Sequence, residues 1–182
     1  MTLANKLTIW RIVLVPFFVL FLFILEEKGK VISLFIFIFA SVSDLLDGWV
    51  ARKRNEVTSF GKIVDPVADK VLIYSAFISF IQLHLIPFWM VIIIMGRDLL
   101  IMALRTELAS KNFILSANGL AKFKTFLENV AIFFIFFTLL WGGFRDQIEG
   151  TDRVIYLLMG GATLLALISG IKYWIESRRH FR

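Results

Sequence analysis

Uncharged apolar runs separated by short charged clusters recur along this chain. They are Ile12–Leu25, Val31–Val42, Val71–Ile81, Phe88–Gly96, Val130–Trp141 and Val154–Ile171. Segments of this kind restrict the fold severely. Hydrocarbon offers no hydrogen bonds to a backbone, so a chain crossing it must satisfy its own amides, and a single segment does that as a helix. Composition points the same way. The 182 residues are 59% hydrophobic with 20 Phe, and the mean hydropathy of +0.82 exceeds what a soluble domain of this size can bury. The expected fold is therefore an all-α integral membrane protein, one domain over residues 1–182, with six transmembrane helices. Their expected extents are 12–25, 31–50, 65–85, 88–104, 120–141 and 154–173.

The segment before the first span, Met1–Arg11, sets Leu3, Leu7 and Trp10 against Asn5, Lys6 and Arg11. It reads as a short interfacial segment. Ile12–Leu25 has the length of a signal-peptide core. The charged Glu26-Glu27-Lys28-Gly29-Lys30 follows it in place of a small-residue cleavage site, so it reads as an uncleaved span.

Six spans put both termini on one side. That side collects fourteen Lys and Arg: Lys6, Arg11, those from Arg52 to Lys62, those from Arg105 to Lys124, and those from Lys172 onward. The other side holds four, Lys28, Lys30, Arg145 and Arg153. The bias predicts cytoplasmic termini in a multi-pass cytoplasmic (inner) membrane protein. All five Trp fall near span ends, as an aromatic belt requires. The formal charge of +6 then reflects cytoplasmic loops and anionic lipid; no basic helix face is left for nucleic acid. Cysteine is absent, which excludes disulfides and thiolate chemistry.

Where the second and third spans meet the cytoplasm lies the stretch DLLDGWVARKRNEVTSFGKIVDPVAD, residues 44–69. It carries Asp44 and Asp47 at i,i+3 and Asp65 and Asp69 at i,i+4, so each pair shares one helix face. Acids beside hydrocarbon are costly and mark function. Four convergent carboxylates suit hard divalent cations, two better than one. Gly48 and Ala51 leave the face after the first pair nearly bare, and Arg52 adds a guanidinium; together these suit a diphosphate. Asp65-Pro66 reads as a helix start, with Asp as cap and Pro in the first turn.

The pattern Asp44-x-x-Asp47-Gly48-x-x-Ala51-Arg52, eight residues, Gly61-x-x-x-Asp65-x-x-x-Asp69 resembles the signature of the CDP-alcohol phosphotransferase family, with every fixed position filled. Asn5-Lys6-Leu7-Thr8-Ile9-Trp10-Arg11, Pro16 and Lys122-Phe123-Lys124-Thr125 extend the resemblance, chiefly to members that use glycerol 3-phosphate. Arg97-Asp98 stands where the family pattern has Arg-Glu, and Ala121 where it has Gly.

The resemblance implies transfer of a phosphatidyl group from CDP-diacylglycerol to glycerol 3-phosphate, with release of CMP, at the cytoplasmic face. It implies two Mg2+ or Mn2+ ions on Asp44, Asp47, Asp65 and Asp69, with Asp69 also the general base. A carboxylate is ordinarily a weak base; a cation that acidifies the hydroxyl, or desolvation, makes it effective. Asn5, Thr8, Gly48, Arg52 and Thr58 would contact the CDP-lipid. Arg97, Arg105, Lys122 and Lys124 would take the acceptor phosphate. A homodimer is expected from the resemblance and from the glycines of the sixth span, Gly160, Gly161 and Gly170.

Some residues have plainer readings. Asn5 and Thr8 can cap a helix, Arg11 can snorkel to the interface, and His84 can sit at the far interface. Arg97-Asp98 can form an internal ion-pair network, and Lys124 and Glu128 can pair at i,i+4. Other acceptors, namely inositol phosphate, serine or phosphatidylglycerol, fit the same signature. A cation or proton transporter is the rival outside enzymes; the acids cluster at one face, and Arg52 and Lys53 would repel an entering cation.

Overall fold

A computed structural model describes residues 3–54, 59–110, 119–141 and 150–178, with the side chains of 3–7, 44–54, 59–63, 65, 66, 110 and 178 outside the description. Six helices are present among the described residues. They are α1 (Leu3–Ile24), α2 (Glu26–Arg54), α3 (Ser59–Gln82), α4 (Phe88–Ser110), α5 (Gly119–Leu140) and α6 (Thr151–Arg178). The chain divides into two compact units, Met1–Ser79 and Phe80–Arg182, with the boundary inside α3.

The helices carry large apolar side chains outward as well as inward. Phe35, Leu100 and Leu157 are 67%, 65% and 73% exposed, amid many others on the same helices. Water would penalise such a surface, and hydrocarbon would not. By length and composition α5 and residues Thr151–Ser177 of α6 can each cross a membrane; Thr8–Ile24 of α1 is a shorter apolar stretch.

In the first unit α1 and α2 form an antiparallel hairpin. Ser33 donates to the Phe18 carbonyl at 3.0 Å, and the Phe18 and Phe37 rings lie 6.1 Å apart. Near the turn Gly29 lies against α1: a Cβ there would run into the Phe21 carbonyl oxygen. Only Leu25 separates the helices, and Glu26 takes the left-handed conformation, φ 43°. Three expected boundaries change here. No break separates an interfacial Met1–Arg11 segment from the first span, since α1 is continuous from Leu3. The Glu26–Lys30 cluster, outside the expected second span at 31–50, is the start of α2. Glu26 and Glu27 there face the positive end of the helix dipole. The third helix begins at Ser59, so Asp65-Pro66 lies inside it. The apolar spacing Phe60, Ile63, Val64, Val67 carries a helical pattern upstream of Pro66.

In the second unit α3 ends in a Schellman cap. The amide of His84 donates to the Ile81 carbonyl at 2.9 Å and that of Leu85 to the Phe80 carbonyl at 3.0 Å. His84 occupies the left-handed position, φ 56°, where glycine is usual. Its place is explained by the backbone turn. Phe80 then packs edge-on against Phe136 of α5, centroids 5.4 Å apart. Of the α6 glycines, Gly170 makes the tight approach within the chain. A Cβ at Gly161 would meet Leu127 at 3.6 Å, one at Gly160 would meet Met90 at 3.9 Å, and one at Gly170 would meet the Arg97 Cγ at 3.1 Å.

Candidate active site

In the first unit α2 carries the positions of Asp44 and Asp47, and α3 those of Asp65 and Asp69. Both pairs lie within unbroken helix, so their i,i+3 and i,i+4 spacings place each pair on one helix face. The side chains of Asn5, Asp44, Asp47, Gly48, Arg52 and Asp65 lie outside the description, as does all of Thr58. Asp69 is described. Its side chain is 38% exposed, with the Lys70 ammonium 3.9 Å away. Ala68 and Leu72 on either side are buried and anchor that turn of α3. Among the described residues no three metal-ligating side chains converge.

Just before Asp44, the α1–α2 hairpin carries an open pocket of about 210 Å3 lined by Trp10, Arg11, Leu14, Phe39, Ala40 and Ser43. Arg11 is 1% exposed, so the expectation that it snorkels is overturned. It stays between the helices because α1 pairs with α2 along this length. Thr8, a turn earlier, is buried inside the helix and is not its cap.

The second unit holds a polar cluster inside apolar helices. The Arg97 guanidinium donates to Asp98 Oδ1 at 2.8 Å and to Ser169 Oγ of α6 at 2.8 Å. Lys124 Nζ of α5 donates to Asp98 Oδ2 at 2.7 Å and pairs with Glu128 Oε1 at 2.6 Å. Lys124 and Glu128 are fully buried and Asp98 nearly so. Arg105, one face-repeat along α4, donates from Nη2 to the Tyr173 hydroxyl of α6 at 2.6 Å. Both guanidinia lie over the Tyr173 ring, Arg97 at 5.7 Å and Arg105 at 5.2 Å from its centroid. Arg105 and Lys122 remain exposed.

Thus the second unit brings together Arg97, Arg105 and Lys124, while Lys122 stands outside the hydrogen bonds of this network. Of the two readings of Arg97-Asp98, the internal ion-pair network is present: Asp98 bridges Arg97 and Lys124. Sequence reasoning missed Ser169 and Tyr173. The available signal was two polar residues at i,i+4 in an apolar span, beside Gly170.

The family model for CDP-alcohol phosphatidyltransferase matches residues 1–171. The chain belongs to this family. Its relatives include a Bacillus subtilis (strain 168) protein named CDP-diacylglycerol–glycerol-3-phosphate 3-phosphatidyltransferase, 38% identical over 71% of this chain and 74% of its own length. A protein of the same name from Rickettsia bellii is 33% identical over 98% of this chain and 97% of its own. A Mycobacterium tuberculosis (strain CDC 1551 / Oshkosh) protein named probable phosphatidylglycerophosphate synthase is 37% identical over 97% of this chain and 82% of its own.

Proposed function

We propose that this protein transfers the phosphatidyl group of CDP-diacylglycerol to glycerol 3-phosphate. CMP leaves, and phosphatidylglycerol phosphate forms. The observation that carries this reading is the match, over 98% and 97% of this chain, to relatives named for that reaction or its product. The complete aspartate signature supports it.

In the reaction an acceptor hydroxyl oxygen bonds to the phosphatidyl phosphorus, the bond from that phosphorus to the CMP oxygen breaks, and CMP departs with the electron pair. Asp69 takes the hydroxyl proton; its partial exposure on α3 supports that role. Two divalent cations, Mg2+ or Mn2+, held by Asp44, Asp47, Asp65 and Asp69, would supply counter-charge to the diphosphate; an all-oxygen donor set suits such hard ions. Gly48, Arg52, Thr58, Asn5 and Thr8 contact the CDP moiety. Arg97, Arg105, Lys122 and Lys124 supply the positive field for the acceptor phosphate, Arg105 and Lys122 from exposed positions and Lys124 from within the ion network. The six helices act as six spans of one functional domain, with both termini and the reaction at the cytoplasmic face. The homodimer rests on the family resemblance, because the α6 glycines already have partners within the chain.

The test is CMP release from CDP-diacylglycerol by the purified protein in detergent with Mg2+ or Mn2+. Glycerol 3-phosphate, inositol phosphate and serine are offered in turn, and each reaction is repeated after chelation. CMP appearing only with glycerol 3-phosphate and only with free metal is the expected result. CMP with a different acceptor would displace the acceptor assignment and leave the reaction class standing.

A further inference from the structure

Charges inside the α4–α5–α6 cluster are unevenly matched. Asp98 contacts both Arg97 and Lys124, and Glu128 contacts Lys124. Arg97 and Lys124 thus each have a carboxylate partner. Arg105 is different: among the described residues its partners are the hydroxyl and ring of Tyr173, and no carboxylate. A carboxylate in that place would orient the guanidinium and also cancel its charge. A phenol orients it and leaves the charge intact. The hydroxyl accepts one N–H, and the ring face attracts the cation through its quadrupole.

The same ring holds Arg97. Its guanidinium lies over Tyr173 and spends N–H groups on Asp98 and Ser169, while Gly170 gives the stem room to pass along α6. Positions 169, 170 and 173 form one face of α6, and 97 and 105 one face of α4. Tyr173 is 1% exposed, so its ring is fixed by packing and gives both arginines a rigid reference. The Ser169 hydroxyl is itself tied to the Leu165 carbonyl at 2.6 Å, which fixes the oxygen that Arg97 uses.

We infer that Tyr173 is a positioning residue that sets Arg97 and Arg105 as a pair of guanidinium forks for a phosphate monoester, keeping Arg105 uncompensated. The inference rests on the reading of this cluster as the acceptor phosphate site. It adds a residue outside the basic set and a reason why that residue is a phenol. Phosphate binding by guanidinium depends on the direction of the fork as well as its charge. Loss of the hydroxyl should therefore weaken acceptor binding while leaving the donor untouched.

The experiment uses the full chain in detergent with metal, CDP-diacylglycerol and glycerol 3-phosphate. Steady-state constants and melting midpoints are measured for Tyr173→Phe, Arg105→Gln and the double variant. Tyr173→Phe should raise acceptor KM about three- to tenfold, the scale of one lost hydrogen bond. Donor KM and the midpoint should stay at parent values. Arg105→Gln should raise acceptor KM further, and Tyr173→Phe should add nothing on that background, because it acts through Arg105. A raised acceptor KM in Arg105→Gln with none in Tyr173→Phe overturns the positioning role alone. No change in Arg105→Gln overturns both that role and the acceptor reading of the cluster. A lowered midpoint in Tyr173→Phe with unchanged acceptor KM makes the phenol a packing residue and overturns the proposal.

Discussion

Asp69 of α3 and Asp98 of α4 are both aspartates on apolar helices, in different units of the chain, and their surroundings are opposite. The Asp69 side chain is 38% exposed, with its neighbouring ammonium 3.9 Å away. The Asp98 side chain is 4% exposed and held at 2.8 and 2.7 Å by Arg97 and Lys124. A carboxylate that must exchange protons or ligands needs access. One that joins helices needs close, complete pairing, because a buried charge without a partner costs several kcal/mol. The two regions thus differ in access: the Asp69 carboxylate is open to exchange, while the Asp98 carboxylate ties Arg97 and Lys124 in place, and the contrast can be broken at either end.

The largest effect is expected at Asp69. Asp69→Asn keeps the size of the side chain and removes its basicity. Turnover should fall about 10²- to 10⁴-fold, the usual contribution of a general base. The melting midpoint in detergent should hold, because the side chain is 38% exposed and the substitution keeps its size. A collapse of the midpoint alongside activity would erase the contrast with Asp98.

At Asp98 the order of effects reverses. Asp98→Asn leaves Lys124 facing Glu128 alone and takes the anionic partner from Arg97. Breaking one member of a buried pair costs about 3–5 kcal/mol. The midpoint should therefore drop well below that of Asp69→Asn, with residual turnover in whatever fraction stays folded. A parent-like midpoint would mean that water reaches the cluster and screens it.

How much of this contrast could be seen in the sequence depends on distance along the chain. Lys124 and Glu128 are four apart on a helix, so their pairing is a local matter and was legible. Asp98 reaches Lys124 across 26 residues and Arg97 reaches Ser169 across 72, so those partners depend on helix packing. Tyr173 likewise meets Arg105 across 68 residues, so its role also depends on packing. That each signature aspartate pair falls within a single helix was legible, because an i,i+3 or i,i+4 spacing is a local matter. Helix ends were less so. Pro66 favours a first-turn position, yet the pattern from Phe60 to Val67 continues the helix upstream. The expected spans 12–25 and 31–50 leave Glu26–Lys30 between them, but acids stabilise a helix start, and a single left-handed residue is enough to turn the chain there.

That turn supplies the smallest effect and a third way of holding helices together, by backbone approach without charge. Gly29→Ala brings two opposed changes. Alanine favours helix over glycine by about 1 kcal/mol. Against that, the new methyl runs into the Phe21 carbonyl oxygen and comes within 3.0 Å of the Leu25 Cβ. A clash with backbone cannot be relieved by turning a side chain, so α1 and α2 must separate at their joint. Overpacking of this kind costs about 1–3 kcal/mol, enough to outweigh the propensity gain at most of that range. The midpoint should fall, but less than in Asp98→Asn, and KM for glycerol 3-phosphate should not change, since the arginines belong to the other unit. A midpoint at or above the parent's would show that propensity wins, and that the hairpin is held by Ser33, Phe18 and Phe37 farther along and not by the close approach at Gly29.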